Sequence, residues 1–92
     1  MKTNKYTIQF SMLETMESLA IEISKKEYMA QYAHAQQQLD NYDENDQYGD
    51  FEKREYVDDG EKLIRTRTYF TLGCADIILT AYRCKKGYHF AS

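Results

Sequence analysis

The chain predicts an α+β fold: an antiparallel sheet of four to five strands with one helix packed on one face, in the order β-β-α-β-β-β. Three observations carry that expectation. The period of two of a strand with one buried face runs from position 6 to 12 and again from 18 to 23, and 63–72 is rich in strand-forming Thr, Ile, Tyr and Phe. One stretch, 25–41, holds apolar residues at helical spacing behind a capping signal. Finally, 92 residues punctuated by four isolated glycines suit a single domain (1–92) of short elements and tight turns.

The first strand is read from Tyr6, Ile8, Phe10 and Met12 alternating with Thr7, Gln9 and Ser11. Leu19, Ile21 and Ile23 alternate with Ser18, Ala20 and Glu22, which predicts a second strand joined to the first as a hairpin near Glu14 to Glu17. Residues 13–20 also contain good helix formers, so a short helix is the alternative there. Ser24, Lys25, Lys26 and Glu27 form a capping box, and Tyr28, Tyr32, Ala35, Leu39 and Tyr42 then recur on one face, with Met29 and Ala33 beside them. The helix is expected over about residues 25–41.

Residues 41–50, rich in Asn, Asp and Gly, predict a surface loop. Phe51 to Val57 reads as a strand, Asp58, Asp59 and Gly60 as a turn, and Leu63 to Leu72 as a long strand rich in Thr, Ile, Tyr and Phe. That turn closes with two or three residues, and the choice swaps Glu52 and Arg54 between faces. A two-residue turn at Gly73 and Cys74 pairs Leu72 with Ala75, Phe70 with Ile77, Thr68 with Leu79 and Thr66 with Ala81. In that register Ile64, Phe70, Leu72, Ile77 and Leu79 face the helix, while Arg65, Arg67, Tyr69, Thr80 and Tyr82 face away.

Cys74 and Cys84 bracket the last strand, about 33 Å apart at ~3.3 Å per residue, far beyond the roughly 7 Å between Cα atoms that a disulfide tolerates. Free thiols suit a reducing compartment. No apolar run approaches a membrane span, and the N-terminus leads into an amphipathic segment, not a signal-peptide core. The reading is cytoplasmic, with no membrane partner.

Charge is divided along the chain. Between Asp40 and Glu61 lie ten acids against Lys53 and Arg54, a net of −8; from Lys62 to Lys86 six bases face Asp76 alone, a net of +5. The acids interleave with aromatic residues at Tyr42, Asp43, Glu44, Asp46, Tyr48, Asp50, Phe51 and Glu52. Carboxylates that steer and rings that anchor are what a non-catalytic protein-binding module, or a small acidic inhibitor, presents to a partner with a basic surface. A sharper form is nucleic-acid mimicry, in which carboxylates occupy phosphate positions on a host enzyme, as in phage-encoded anti-defence proteins of the anti-CRISPR kind. The plainer explanation is a solvated acidic loop.

The alternative partner is single-stranded nucleic acid, held by Arg65, Arg67, Tyr69, Tyr82, Lys85 and Lys86 through phosphate contacts and base stacking. A net charge of −3 and a pI near 5.3 oppose it. So does the prospect that these arginines pair with acids across the strands. Catalysis is not expected: His34 and His89 are the only histidines, and no nucleophile comes with an orienting partner. No metal-ligand spacing and no cofactor-binding glycine pattern is present, so no metal and no cofactor is expected. An exposed edge strand leaves a homodimer open.

Overall fold

The alternation at the N-terminus becomes β1 (Asn4–Met12), which lies inside the sheet and not at its margin. The computed structural model describes residues 2–12, 16–17, 19–43 and 49–91. On one side β1 pairs with β2 (Met16–Glu17) and β3 (Ile21–Ile23). On the other it pairs with β6 (Ala75–Cys84), from Asn4 opposite Arg83 to Met12 opposite Ala75. β4 (Asp50–Asp59) and β5 (Leu63–Gly73) complete an antiparallel sheet in the order β2/β3, β1, β6, β5, β4. Because β2 and β3 occupy the same margin, the sheet is five strands wide, with one helix, α1 (Lys25–Asp40), on one face. The α+β class is as the periodicities predict.

Met12 stands opposite Met16 in an antiparallel pair, and of the joint expected near Glu14 to Glu17, residues 14 and 15 lie outside the described residues. Met16 and Glu17 are strand, which removes the helical alternative at those two positions. The expected strand from Leu19 narrows to Ile21–Ile23. Ser11 faces Glu17 and Ile8 faces Ile21, so the returning chain uses one residue more than β1 over the same interval. This slip has the form of a bulge and divides the margin into two short pieces.

Ser24 caps α1 as its sequence predicts: its Oγ accepts from the Glu27 amide at 3.1 Å, and the Glu27 carboxylate accepts from the Ser24 amide at 3.4 Å. The helix runs from the β1 side, where the Tyr28 ring lies 4.9 Å from Tyr6, to β4, where Tyr42 just beyond its end stacks on Phe51 at 4.2 Å. Midway, Tyr32 meets Phe70 edge-on at 5.1 Å. Ile8, Ala35, Phe70 and Leu79 are buried, flanked by Ile23, Tyr28, Tyr32, Leu39, Leu72 and Ile77. Met29 and Ala33, on the flank of the helical stripe, stay exposed.

Gly73 adopts φ +75°, and the predicted β5–β6 register follows, with Leu72 opposite Ala75 and Phe70 opposite Ile77. The β4–β5 turn differs from expectation. Asp58 and Asp59 remain in the strand, opposite Arg65 and Ile64, and the Gly60 amide donates to the Leu63 carbonyl at 2.9 Å, leaving Glu61 and Lys62 as the turn. The extended chain gives both acids cationic partners, Arg65 and Arg67 for Asp58 and Lys85 for Asp59. That phase puts Glu52 and Arg54 on the face away from the helix, and Lys53 and Glu55 on the helix side.

Candidate functional site

The face away from the helix is built by the alternation of β4, β5 and β6. It carries Glu52, Arg54, Tyr56 and Asp58 from β4, Arg65, Arg67 and Tyr69 from β5, and Tyr82 from β6, in cross-strand register. The Arg54 guanidinium lies 5.1 Å from the Tyr69 ring and that of Arg67 lies 5.8 Å from Tyr56, while the two rings meet edge-on at 5.6 Å. Asp58 accepts from Arg65 Nε at 3.0 Å and lies 3.5 Å from Arg67 Nη2. The hydrogen bond from Arg65 holds the Asp58 carboxyl below its usual range, and the same bond raises Arg65. Arg67 Nε is buried with no hydrogen-bond partner among the described residues. Beside this array, Asp58, Gly60, Lys62, Leu63, Arg65 and Tyr82 are among the residues lining a depression of about 520 Å³.

The predicted cationic set therefore divides. Arg65, Arg67, Tyr69 and Tyr82 share the open face. Lys85 leaves it to pair with Asp59 at 2.6 Å, and Lys86 is exposed in the turn beyond β6. The guanidinium groups that would hold phosphates are engaged with Asp58 and with tyrosine rings.

The predicted acidic set divides as well. Glu44, Asp46 and Tyr48 lie outside the described residues. Tyr42 and Phe51 stack on each other on the helix side, and Asp43 is exposed. Asp50 opens β4 opposite Gly73, and Glu52 lies 3.6 Å from Arg54. Gly49, with φ +94°, fixes this entry: a Cβ there would come within 2.7 Å of the Gly73 backbone. Along β4 five acids, Asp50, Glu52, Glu55, Asp58 and Asp59, face two bases. Asp58 and Asp59 are paired, Glu52 only loosely, and Asp50 and Glu55 form no ion pair among the described residues. All of β4 except Phe51 is exposed.

Glu55 on this edge, and Arg54, Tyr56 and Asp58 on the open face, lie outside the acidic set of residues 42–52 and the cationic set of residues 65–86 read from the sequence. The turn phase that aligns them is the one the sequence left undecided. Cys74 and Cys84 are both free. His34 is exposed on α1, its Nε2 2.8 Å from Gln38 Nε2 one turn on. Among the described residues no three His, Cys, Asp or Glu side chains gather as a metal site requires, and no helix is long and apolar enough to cross a membrane. Compared with known proteins, the chain matches no family model, no curated protein and no solved structure.

Proposed function

We propose that this protein is a non-catalytic binding module that docks on a basic surface of another protein through its acidic, tyrosine-bearing segment from Tyr42 to Tyr56, within which β4 provides an exposed edge. The observation that carries the reading is the charge of β4: five acids against two bases on an exposed strand, with no ion pair to Asp50 or Glu55 among the described residues and Glu52 held only at 3.6 Å. Uncompensated carboxylates on an accessible edge steer a cationic partner, and Tyr42 and Phe51 supply apolar area beside them.

The sharper form, an inhibitor whose carboxylates stand in for phosphates, draws its support from residues 43–50 more than from β4. A net charge of −3 over ten residues is one charge per roughly 11 Å at ~3.3 Å per residue, against one per ~3.4 Å along a nucleic-acid strand. The nucleic-acid-binding reading rests on the gathering of Arg65, Arg67, Tyr69 and Tyr82 on one face. It asks a phosphate to displace Asp58 from two arginines.

The test is a photo-crosslinking amino acid placed at Glu52 or Glu55, with Gln37 on the exposed side of α1 as control. Nuclease-resistant adducts to a protein from 52 and 55, absent from 37, support the reading. Adducts to nucleic acid, or an equal yield from all three sites, overturn it. With the captured partner in hand, Asp50→Lys with Glu52→Lys lowers the association rate by about tenfold at low salt while the fold persists.

A further inference from the structure

The two margins of the sheet are finished differently. At one, β2 and β3 are short, slipped by one residue, and interrupted. At the other, β4 pairs with β5 over ten consecutive residues without a slip, and nothing among the described residues pairs with its outer side. The chain has no proline to blunt that edge. Backbone N–H and C=O groups in an antiparallel ladder point alternately to either side, so half of those on β4 face outward as a template for a further strand.

Edge strands are normally guarded by charge, and β4 is charged, but its charge is one-sided. A second copy meets that imbalance. In the symmetric register centred on Arg54, Lys53 of one copy falls opposite Glu55 of the other, yet Arg54 falls opposite Arg54 and Asp50 opposite Asp58, and the two strands together carry ten acids against four bases. A basic strand meets none of this repulsion. Side chains set the rest of the match. On the helix side Phe51 and Val57, the latter 61% exposed, lie at either end of Lys53 and Glu55. On the open face Asp50 and Glu52 precede Arg54 and Tyr56.

From the regular outer edge and its surplus of acid, we propose that β4 takes an extended, basic segment of the partner protein as an added strand. The segment would place Lys or Arg opposite Asp50, Glu52 and Glu55, and apolar residues opposite Phe51 and Val57. This rests on the docking function proposed above and specifies how the partner is held: backbone hydrogen bonds supply affinity, and the charge pattern supplies choice.

The probe is the eight-residue peptide Val-Thr-Lys-Thr-Thr-Lys-Val-Lys, which in antiparallel order opposite 57–50 sets lysine against Asp50, Glu52 and Glu55 and valine against Phe51 and Val57, compared with a copy N-methylated at every residue, which keeps the charges and loses the donors. Binding by the first, about tenfold weaker binding by the second, and amide exchange slowed at every other residue of β4 support the proposal. Equal binding by both peptides with β4 exchange unchanged overturns strand addition and leaves acidic docking standing. Failure of both peptides to bind overturns strand addition too, and the crosslinks from positions 52 and 55 then decide separately whether the docking reading survives. Alternate protection of β4 in the protein alone, rising with concentration alongside dimer in sedimentation, would assign the edge to a second copy and overturn the proposal.

Discussion

Replacing Phe70 tests the core on which every surface feature is mounted. Phe70 is fully buried at the middle of β5, beneath the edge-on ring of Tyr32, opposite Ile77 on β6 and opposite Lys53 on β4, whose Nζ lies 5.7 Å from its ring. Its truncation in Phe70→Ala removes a full aromatic burial and leaves a cavity between helix and sheet, a cost of about 3–5 kcal/mol. Among the described residues the other buried apolar side chains are Ile8, Ala35 and Leu79. A domain this small stands toward the low end of the ~5–15 kcal/mol range, so Phe70→Ala should be substantially unfolded near 37 °C. Phe70→Leu keeps most of the volume and should cost roughly 1–1.5 kcal/mol, a fall in Tm of about 4–12 °C at ~4–8 °C per kcal/mol. The assay is thermal unfolding followed by far-ultraviolet circular dichroism, with urea titration giving the free energy. Val57→Ala, at an exposed position of β4, is the control and should stay within about 0.5 kcal/mol. A Phe70→Ala protein that melts within a few degrees of the parent would refute the placement of the core.

Tyr28 gives a pH dependence. Burial raises its hydroxyl above the ordinary value, with Tyr32 and Glu55 adding to the effect. The folded state therefore favours the protonated phenol, and the associated stability is complete below the unfolded pKa near 10 and lost as pH rises through the folded pKa. Alkaline unfolding curves of the parent and Tyr28→Phe should accordingly diverge above pH 10, the variant losing less, and coincident slopes would contradict the burial. Ser24→Ala removes the acceptor for the Glu27 amide and should cost about 1 kcal/mol in urea titration. Gly49→Ala drives a methyl group into the Gly73 backbone at a positive φ and should cost at least ~1 kcal/mol. Backbone amide shifts should then move at Asp50 and Gly73 together, and a silent Gly73 would rule out the contact.

Much of the fold was legible because local chemistry left single answers. Gly73 is the residue its turn requires, so the whole β5–β6 register follows from it, and Ser24 with Glu27 places the start of α1. The β4–β5 turn was not legible, since Asp58, Asp59 and Gly60 carry turn chemistry. What displaces the turn is partners distant in sequence, Arg65, Arg67 and Lys85. A shift of one residue reverses every side chain of a strand, so the same ambiguity hid that Arg54, Tyr56 and Asp58 join Arg65, Arg67 and Tyr69. It also hid that Lys53 lies on the helix side, where its ammonium sits 4.8 Å from the Tyr32 ring and donates to Gln36 Oε1 at 3.1 Å. The slip beyond β1 was invisible for a different reason: apolar alternation looks the same on either side of a bulge. Charge segregation was plain in the sequence. How far the acids are neutralised depended on register, and the answer differs along β4: Asp58 and Asp59 are paired, and Asp50 and Glu55 form no ion pair among the described residues.

The position of β1 between β3 and β6 has a consequence for how the chain is made. β4, β5 and β6 follow one another as hairpins, but β1 is joined to β6 across nearly the whole length of the chain, Asn4 reaching Arg83. Contacts so distant are slow to form, and Ile8 meets Leu79 only after β6, made later than the other strands described, is available. Until then the pairings within reach are β1 with β2 and β3, and β4 with β5, two pieces of sheet without the strand that joins them. Proteolytic loss of β6 would return the protein to those two pieces.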